Sequence, residues 1–563
     1  MASSIAVCRV HMSLLNKLHK IETLLCRGVK TQHTAAAAQM KTVNKVKHDE
    51  KEKEGGKSLY DVQVERQQQA ERSVLISCPS RTNKERFLKH LLKYGDIKTH
   101  FFYESIGVYA VVEFSSKEGV ASILERASIP SVSHESMVPF KSRVLSLRNL
   151  DKISNQQSSI QLQPQSSAST NELIQRLSRE KSFDQQITSL AESYQLTEEN
   201  TRLRFLVCSL LKDVAAPFFP ECTIKPFGSS VNGFGKMGCD LDMFLDLDGI
   251  SGRKVKQPKL GLSLEYQMKM VNTERRVTQS ILSVIGECLI QFGPGCEGVQ
   301  KILNARCPLV RFNHQPSGLQ CDLTANNRVA MKSTELLHLY SELDPRVRQL
   351  VFTVRCWART HGITSKIPGA WITNFSLTMM VLFFLQKRSP PIIPTLDQLR
   401  DLADPEDKCN IEGNDCTFVS IPSKIQLKGN TETMENLLGE FFEFYGTFSY
   451  TNMSINIRKG KEQNKPEVSP LHIQNPFEIS LNVAKNVNAS QLERFVSLCR
   501  ESAWLLQHAH DKSPSSLSGS GGPQPWGLAT LLQPSQIAAI KRRTRTSQGP
   551  VRQTLKSWVE SLK

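Results

Sequence analysis

Asp240 and Asp242 sit one residue apart in PFGSSVNGFGKMGCDLDMFLDLD (residues 226–248), the first of them ten residues after Ser230. The flanking residues are apolar, so residues 239–247 are expected to form a strand. In a strand, residues i and i+2 share a face. The two carboxylates then project together, while Cys239, Leu241 and Met243 turn the other way into a core. Parallel carboxylates a few ångströms apart repel one another unless positive charge lies between them. A divalent ion supplies that charge, and Mg²⁺ is usually held by one or two carboxylates plus substrate phosphates. Upstream, IKPFG reads as a strand ending in a turn. Gly228-Ser229-Ser230 is expected to let the backbone approach a ligand closely, offering amides and hydroxyls to phosphate oxygens. Asp246 and Asp248 have the same parity as the pair but lie ~13–20 Å further along an extended chain. They belong to the strand end rather than to the same cluster.

The elements that must position these groups come from a chain of 563 residues, enough for several domains. The longest apolar stretch, near residues 379–385, is far too short to span a membrane. Lys plus Arg outnumber Asp plus Glu by 71 to 54, a formal charge of +17 that suits a polyanionic partner, nucleic acid first. Fourteen cysteines without a CxxC pair read as reduced thiols of an intracellular compartment. Up to residue 48, Arg9, Lys17, Lys20, Arg27, Lys30, Lys41, Lys45 and Lys47 face a single acid, Glu22, and Leu14, Leu18, Ile21 and Leu25 recur at helical spacing. Basic, amphipathic and acid-poor is the composition of a mitochondrial transit peptide, placed at residues 1–45.

Next comes a strand (SVLISC), a helix (NKERFLKHLLKYG), two strands (IKTHFFYE, GVYAVVEF) and a helix (SKEGVASILERA). This order, within residues 70–148, resembles an RNA-recognition-motif (RRM) fold. Laid on that family's octapeptide, GVYAVVEF puts Tyr109 at one aromatic position and Val111 at the central one. Leu75 stands where the other signature strand expects a ring. Base stacking needs those rings, so a packing or dimerisation module is the alternative to sheet-face RNA binding. Residues 149–172 read as a Gln/Ser-rich linker, 173–345 as a catalytic domain split by flanking helices, 346–508 as helical, and 509–563 as a flexible basic tail carrying KRRTRT (541–546).

A glycine-serine turn followed by an apolar D-x-D strand is far more specific than D-x-D alone. Over about residues 171–508 the chain resembles the DNA polymerase β-type nucleotidyltransferase superfamily, in its poly(A) and terminal uridylyl polymerase branch. The resemblance implies an α+β fold: a polymerase β-like palm with a helical, PAP-associated central domain, here preceded by the RRM-like α/β domain. It also implies a third carboxylate on a later strand, for which Asp322 in GLQCDLTANN is the candidate. ARCPLVRF (305–312) would be its antiparallel neighbour and NHQPSG the turn. In that family three such acids hold two Mg²⁺ or Mn²⁺ ions, which activate the attacking 3′-hydroxyl and clamp the leaving pyrophosphate.

The same resemblance implies nucleotide contacts. Phe227, Gly228 and Ser229 form the phosphate turn, and Asn327 matches the position that meets the ribose. Arg355 and Arg359, four apart on one helical face and straddling Trp357, match basic residues that grip the triphosphate. Relatives carry lysine there, and arginine keeps the charge but presents a planar fork. Asn374-Phe375 replaces a Ser-Tyr pair, so the ring keeps its stacking face and loses the hydroxyl. In IQNPFEISLNVAKNV (473–487), Glu478 matches a base-contacting acid. Leu481 stands where uridylyl enzymes place histidine, and Asn475 replaces an aspartate. Leucine cannot hydrogen-bond a uracil, and both departures favour ATP over UTP. The basic stretch after Asp248, residues 249–275, is longer than that branch expects and reads as an RNA-contacting or dimerising arm.

The resemblance, taken with the presequence, implies a template-independent RNA 3′-adenylyltransferase acting on mitochondrial RNA in the matrix, with ATP and RNA 3′ ends as partners. No membrane is involved, and a homodimer through the RRM-like domain and the 249–275 insertion is expected. The alternatives are a terminal uridylyltransferase and a non-catalytic RNA-binding relative.

Overall fold

The computed structural model describes residues 57–127, 141–147, 161–166, 168–220, 222–247, 274–325, 327–365, 367, 369–509 and 524–533. The expected transit peptide, Asp248 with nearly all of the basic stretch after it, and the basic cluster at 541–546 lie outside these residues, as does most of the 149–172 linker. The chain forms two compact units. The first comprises Met1–Ser166, Leu196–His338 and Ile421–Ser423; the second comprises Ser167–Gln195, Leu339–Ser420 and Lys424–Lys563.

The first unit opens with α1 (Leu59–Glu71), β1 (Ser73–Cys78), α2 (Lys84–Leu91), β2 (Ile97–Glu104), β3 (Val108–Phe114), α3 (Lys117–Arg126), β4 (Val144–Ser146) and β5 (Leu162–Gln163). The strands lie in the order β4-β1-β3-β2-β5. β3 is antiparallel to both neighbours, and the short edge strands run parallel to theirs. Side chains alternate between faces along a strand, and here both faces are covered. Val74, Ile76, Phe102, Ala110, Val112 and Phe114 pack with Phe87, Leu91, Val120 and Ile123 of the two helices. Leu75, Phe101, Tyr103, Tyr109 and Val111 join a second core. Double burial explains why VYAVVEF is almost continuously apolar.

That second core belongs to a five-stranded sheet ordered β6-β7-β10-β9-β8. Its strands are β6 (Thr223–Phe227), β7 (Leu241–Asp246), β8 (Cys296–Ile302), β9 (Leu309–His314) and β10 (Leu319–Thr324). β7 and β10 are parallel, and the other pairs antiparallel. Helices α4 (Glu198–Ala215) and α5 (Glu274–Phe292) supply Leu203, Leu206, Val207, Leu210, Ile281, Leu282, Val284 and Ile285 against Leu241, Met243, Phe312, Cys321 and Leu323. The positions where an RNA-recognition motif stacks bases are therefore inside the protein. Tyr103 donates its hydroxyl to the Pro316 carbonyl at 2.7 Å, Ser105 to the Gln315 carbonyl at 2.8 Å, and buried Arg143 pairs with Asp213 at 2.7 Å. This small sheet packs; its face does not read RNA. The unit continues into α6 (Arg328–Leu343), where the division between units falls.

In the second unit, α7 (Pro345–Thr360) starts at Asp344, whose carboxylate accepts from the Arg346 amide, with Pro345 at the first helical position. Trp357 is fully buried, donates its indole N–H to Ser502 Oγ at 2.9 Å and packs on Phe442 and Phe495. α8 (Asn374–Gln386) is apolar all round and buried from Ser376 onward, as such a helix must be. It begins at Asn374 rather than Trp371 because Thr373 caps it, accepting from the Ser376 amide at 3.1 Å. α9 (Met434–Thr447) and α10 (Ala489–Ala509) pack against one another. No helix among the described residues is long and apolar enough to cross a membrane.

Leu75 has no exposed surface and faces the shared core. Leu75→Ala should therefore lower unfolding stability by about 2–5 kcal/mol, measured by chemical denaturation, and shift fluorescence probes on both sheets of the first unit together. A face that bound RNA would instead lose affinity without loss of stability.

Candidate active site

One row crosses the second sheet. Phe227 on β6 is opposite Asp242 on β7, Asp242 is beside Asp322 on β10, and Asp322 is opposite Arg311 on β9. Their neighbours Leu241, Met243, Cys321, Leu323, Val310 and Phe312 fill the core, so the row stands on the opposite face. Asp240 is exposed in the residue before β7. The three acids expected from the sequence thus come from two adjacent parallel strands and the residue that leads into one of them. Cys239 corrects the expected alternation. The strand begins at Leu241, so Cys239 lies in the preceding turn, half-buried rather than in the core.

The glycine-serine turn differs from expectation in what it offers. Gly228 has φ +63°, and a Cβ there would meet Asp242 Oδ2 at 3.1 Å, so both backbone and space demand glycine. Its amide donates to Thr334 Oγ1 at 3.0 Å and is not presented to a ligand. The Ser230 hydroxyl is buried and accepts from Arg204 at 2.9 Å. Ser229 is half-buried, and its hydroxyl donates to Cys239 Sγ at 3.5 Å. Of the turn's hydroxyls, that of Ser229 is the one left near the surface.

Arg204 on α4 was not singled out from the sequence. Its side chain is fully buried and bonded throughout: Nε to Asn200 Oδ1 (2.8 Å), Nη1 to Ser230 Oγ and to the Asp240 carbonyl (3.0 Å), and Nη2 to the Cys239 carbonyl (2.7 Å). One guanidinium thereby ties the turn to the chain that carries the carboxylates. An arginine among the apolar positions of a buried helix was the available signal, since arginine is almost never buried without partners. Arg311 was also missed. Its Nε and Nη2 meet the two Asp322 oxygens at 2.8 and 2.6 Å, a bidentate pair. Only the strand register, which is non-local, brings it there.

Burial, then the charges of Asp322 and Asp240, push the Asp242 carboxyl up to about 7, with Arg204 and Arg311 offsetting part of this. The Arg311 guanidinium is held above its ordinary range by its bond to Asp322. Among the described residues no three His, Cys, Asp or Glu side chains form a ready-made metal cage. The donor set nevertheless suits a hard divalent cation: carboxylate oxygens only, mutually repelling, with a guanidinium already acting as counter-charge to one of them. Asn327, half-buried, stands immediately before α6.

The expected nucleotide contacts of the second unit form their own connected group. Arg355 donates from Nε to the Asn374 carbonyl at 3.3 Å and from Nη2 to Thr378 Oγ1. Arg359, one turn on, is exposed. Ser376 Oγ donates to the Val483 carbonyl at 3.3 Å, joining the start of α8, with half-buried Phe375, to the 473–487 segment. That segment closes on itself: the Asn475 amide reaches the Leu481 carbonyl at 2.9 Å, and the Leu481 amide reaches the Glu478 carbonyl at 2.8 Å. Asn475 Oδ1 accepts from the amides of Phe477 and Glu478, each at 3.0 Å. An aspartate could accept the same two bonds, so this oxygen shapes the loop rather than selecting a base. Glu478 and Leu481 are both half-buried at the loop's ends.

Residues 183–342 match the family described as the central palm domain of mitochondrial-like poly(A) RNA polymerase. Residues 58–128 match the RL domain, and residues 435–482 the Cid1 family poly A polymerase. Mitochondrial poly(A) RNA polymerase of Mus musculus is 55% identical over 513 residues, covering 90% of this chain and 86% of that protein. The Homo sapiens protein of the same name is 55% identical over 503 residues, covering 89% and 86%. The crystal structure of mtPAP in complex with ATPγS superposes with a TM-score of 0.79 at 52% identity, covering 85% of this chain and all of that one. The Cid1 poly(U) polymerase, at 23% identity and a TM-score of 0.50 over 63% of this chain and 99% of its own, shares the fold.

A folded-state carboxyl raised to about 7 favours folding most below its unfolded value of 3.8, and that contribution is lost as pH rises through 7. Asp242→Asn, which mimics the protonated acid, should therefore melt above the parent in EDTA at pH 8, by on the order of a few kcal/mol of stability. The advantage should shrink as pH falls below 7. Thermal unfolding followed by circular dichroism measures this.

Proposed function

The chain belongs to the mitochondrial poly(A) RNA polymerase family, and from that membership we propose that its carboxylate row joins adenylate from ATP to RNA 3′ ends without a template. The protein is a nucleotidyltransferase. The observation that carries the site assignment is the pairing of Asp242 with Asp322 on adjacent parallel strands beside the Gly228–Ser230 turn. The RNA 3′-oxygen attacks the α-phosphorus of ATP and pyrophosphate leaves. Asp240, Asp242 and Asp322 would hold Mg²⁺ or Mn²⁺, whose charge there favours the ionised 3′-hydroxyl and neutralises the leaving phosphates. Ser229 meets a phosphate oxygen, with Phe227 and Gly228 shaping the turn that presents it, and Asn327 meets the ribose. In the second unit Arg355 and Arg359 bind the triphosphate, Asn374 and Phe375 meet it and its base, and Glu478 and Leu481 line the base.

Preference for ATP rests on Leu481, which offers a base no hydrogen bond. mtPAP has been crystallised with ATPγS, UTP, GTP and CTP, so the preference is tested by turnover and not by binding. The enzyme works in the mitochondrial matrix, directed there by a transit peptide within residues 1–45; their basic, acid-poor composition and the names of the relatives support this. It acts as a homodimer through the RRM-like domain and residues 249–275, a pairing that sedimentation tests; the sheet face that packs inside its own unit takes no part in it.

Asp242→Ala should abolish tailing of a model RNA while the protein stays folded; retained tailing by the pure variant would overturn the acid assignment. Supplying each nucleotide separately should give predominantly A-tails. Leu481→His should raise UTP use relative to ATP, read as the ratio of kcat/KM values. An unchanged ratio would remove Leu481 from base selection, and preferential U-tails from the parent would favour the uridylyltransferase reading.

A further inference from the structure

Both oxygens of Asp322 are taken by Arg311. An arginine cannot neutralise itself by losing a proton, so a divalent ion that coordinates Asp322 meets a fixed positive charge on the same carboxylate. Two cations on one carboxylate repel, so a bound metal weakens the arginine's hold. The Asp322 side chain is mostly buried at 15% exposed and fixed in mid-strand, whereas the Arg311 side chain is 42% exposed on a long stem. Arg311 is the group free to swing.

Where it swings is set by the row. The turn that faces the triphosphate ends β6, at one end of Phe227–Asp242–Asp322–Arg311. Arg311 is at the other end, three strand spacings or about 14 Å away. With the triphosphate assigned to the turn, as proposed above, the polyanion left for the Arg311 end of the row is the RNA bearing the 3′-hydroxyl.

We propose that Arg311 is an exchange residue: it holds Asp322 until metal loads, then leaves the carboxylate for a backbone phosphate of the RNA terminus. Metal and RNA are thereby coupled through one side chain. By linkage, RNA that engages Arg311 tightens metal binding, and metal tightens RNA by the same factor. This rests on Asp322 being a metal carboxylate.

The test measures Mn²⁺ affinity by electron paramagnetic resonance on the metal-stripped full chain. It is done with and without a short oligo(A) ending in a 3′-deoxynucleotide, so that nothing turns over. Parent protein should bind Mn²⁺ several-fold more tightly with RNA. Arg311→Gln should bind Mn²⁺ about tenfold more tightly than the parent without RNA, the scale of a lost charge-assisted pair, and should lose the RNA effect. Arg311→Lys, with one donor in place of a fork, should lie between the two. Affinity in Arg311→Gln that is unchanged or weaker overturns the proposal, because an arginine that merely positions Asp322 would weaken metal binding when removed. Asp322→Asn separates the two readings. If it leaves Mn²⁺ binding intact, the site assignment fails; if it abolishes binding while Arg311→Gln changes nothing, only the exchange fails. Thermal melts in EDTA confirm that each variant is folded.

Discussion

Everything at the candidate site follows from one register, which sets Asp242 beside Asp322 on parallel neighbouring strands. Burial there, and then the like charges of Asp322 and Asp240, push the Asp242 carboxyl up to about 7. Such an arrangement persists only if the surroundings hold it and some cation relieves it. Arg311 relieves one end of the row by closing a two-point bond on Asp322. The other carboxylates remain poised for charge from outside the chain.

What holds the row is in part another arginine. Arg204 is fully buried yet bonded at Nε, Nη1 and Nη2. A buried charge bonded at every nitrogen is a specificity device more than a source of stability; removing it would leave the Asp240 and Cys239 carbonyls and the Ser230 hydroxyl to find other partners. It fixes the spacing between the turn and the D-x-D strand from behind. On the turn itself, Gly228 gives its amide to Thr334, so local rigidity there is achieved by spending a donor that simple motif reading assigns to a ligand. The small RRM-like sheet adds to the same scaffold, since its second face and the back of the palm sheet share one core.

The second unit follows a different design. Trp357 is the anchor of α7, and the arginines on either side of it diverge in role: Arg355 is engaged with the start of α8, while Arg359 is exposed. Asn475 and Asn482 build the 473–487 loop by accepting backbone amides, so the loop's shape is carried by side-chain amides rather than by regular strands. Glu478 and Leu481 are placed by that closure.

Local pattern was enough for much of this. Alternation in LDMFL and LQCDL showed that acids would face away from a core, the basic excess pointed to a polyanionic partner, and the order of motifs identified the fold. All of that is written in neighbouring residues, because strand parity and helix periodicity are short-range properties. Contacts across the chain were not legible. Arg204 was visible only as a misplaced charge on an apolar helix, and its partners beyond that helix lie some 26 to 36 residues on. Arg311 looked like an ordinary strand-face residue until pairing put it opposite Asp322. The Val111, Tyr109 and Leu75 positions showed that stacking rings were missing, but not that the face was closed. Which strand sits beside which, and therefore which charges meet, is decided by packing two sheets and their helices into a shared core, and only the folded chain contains that information.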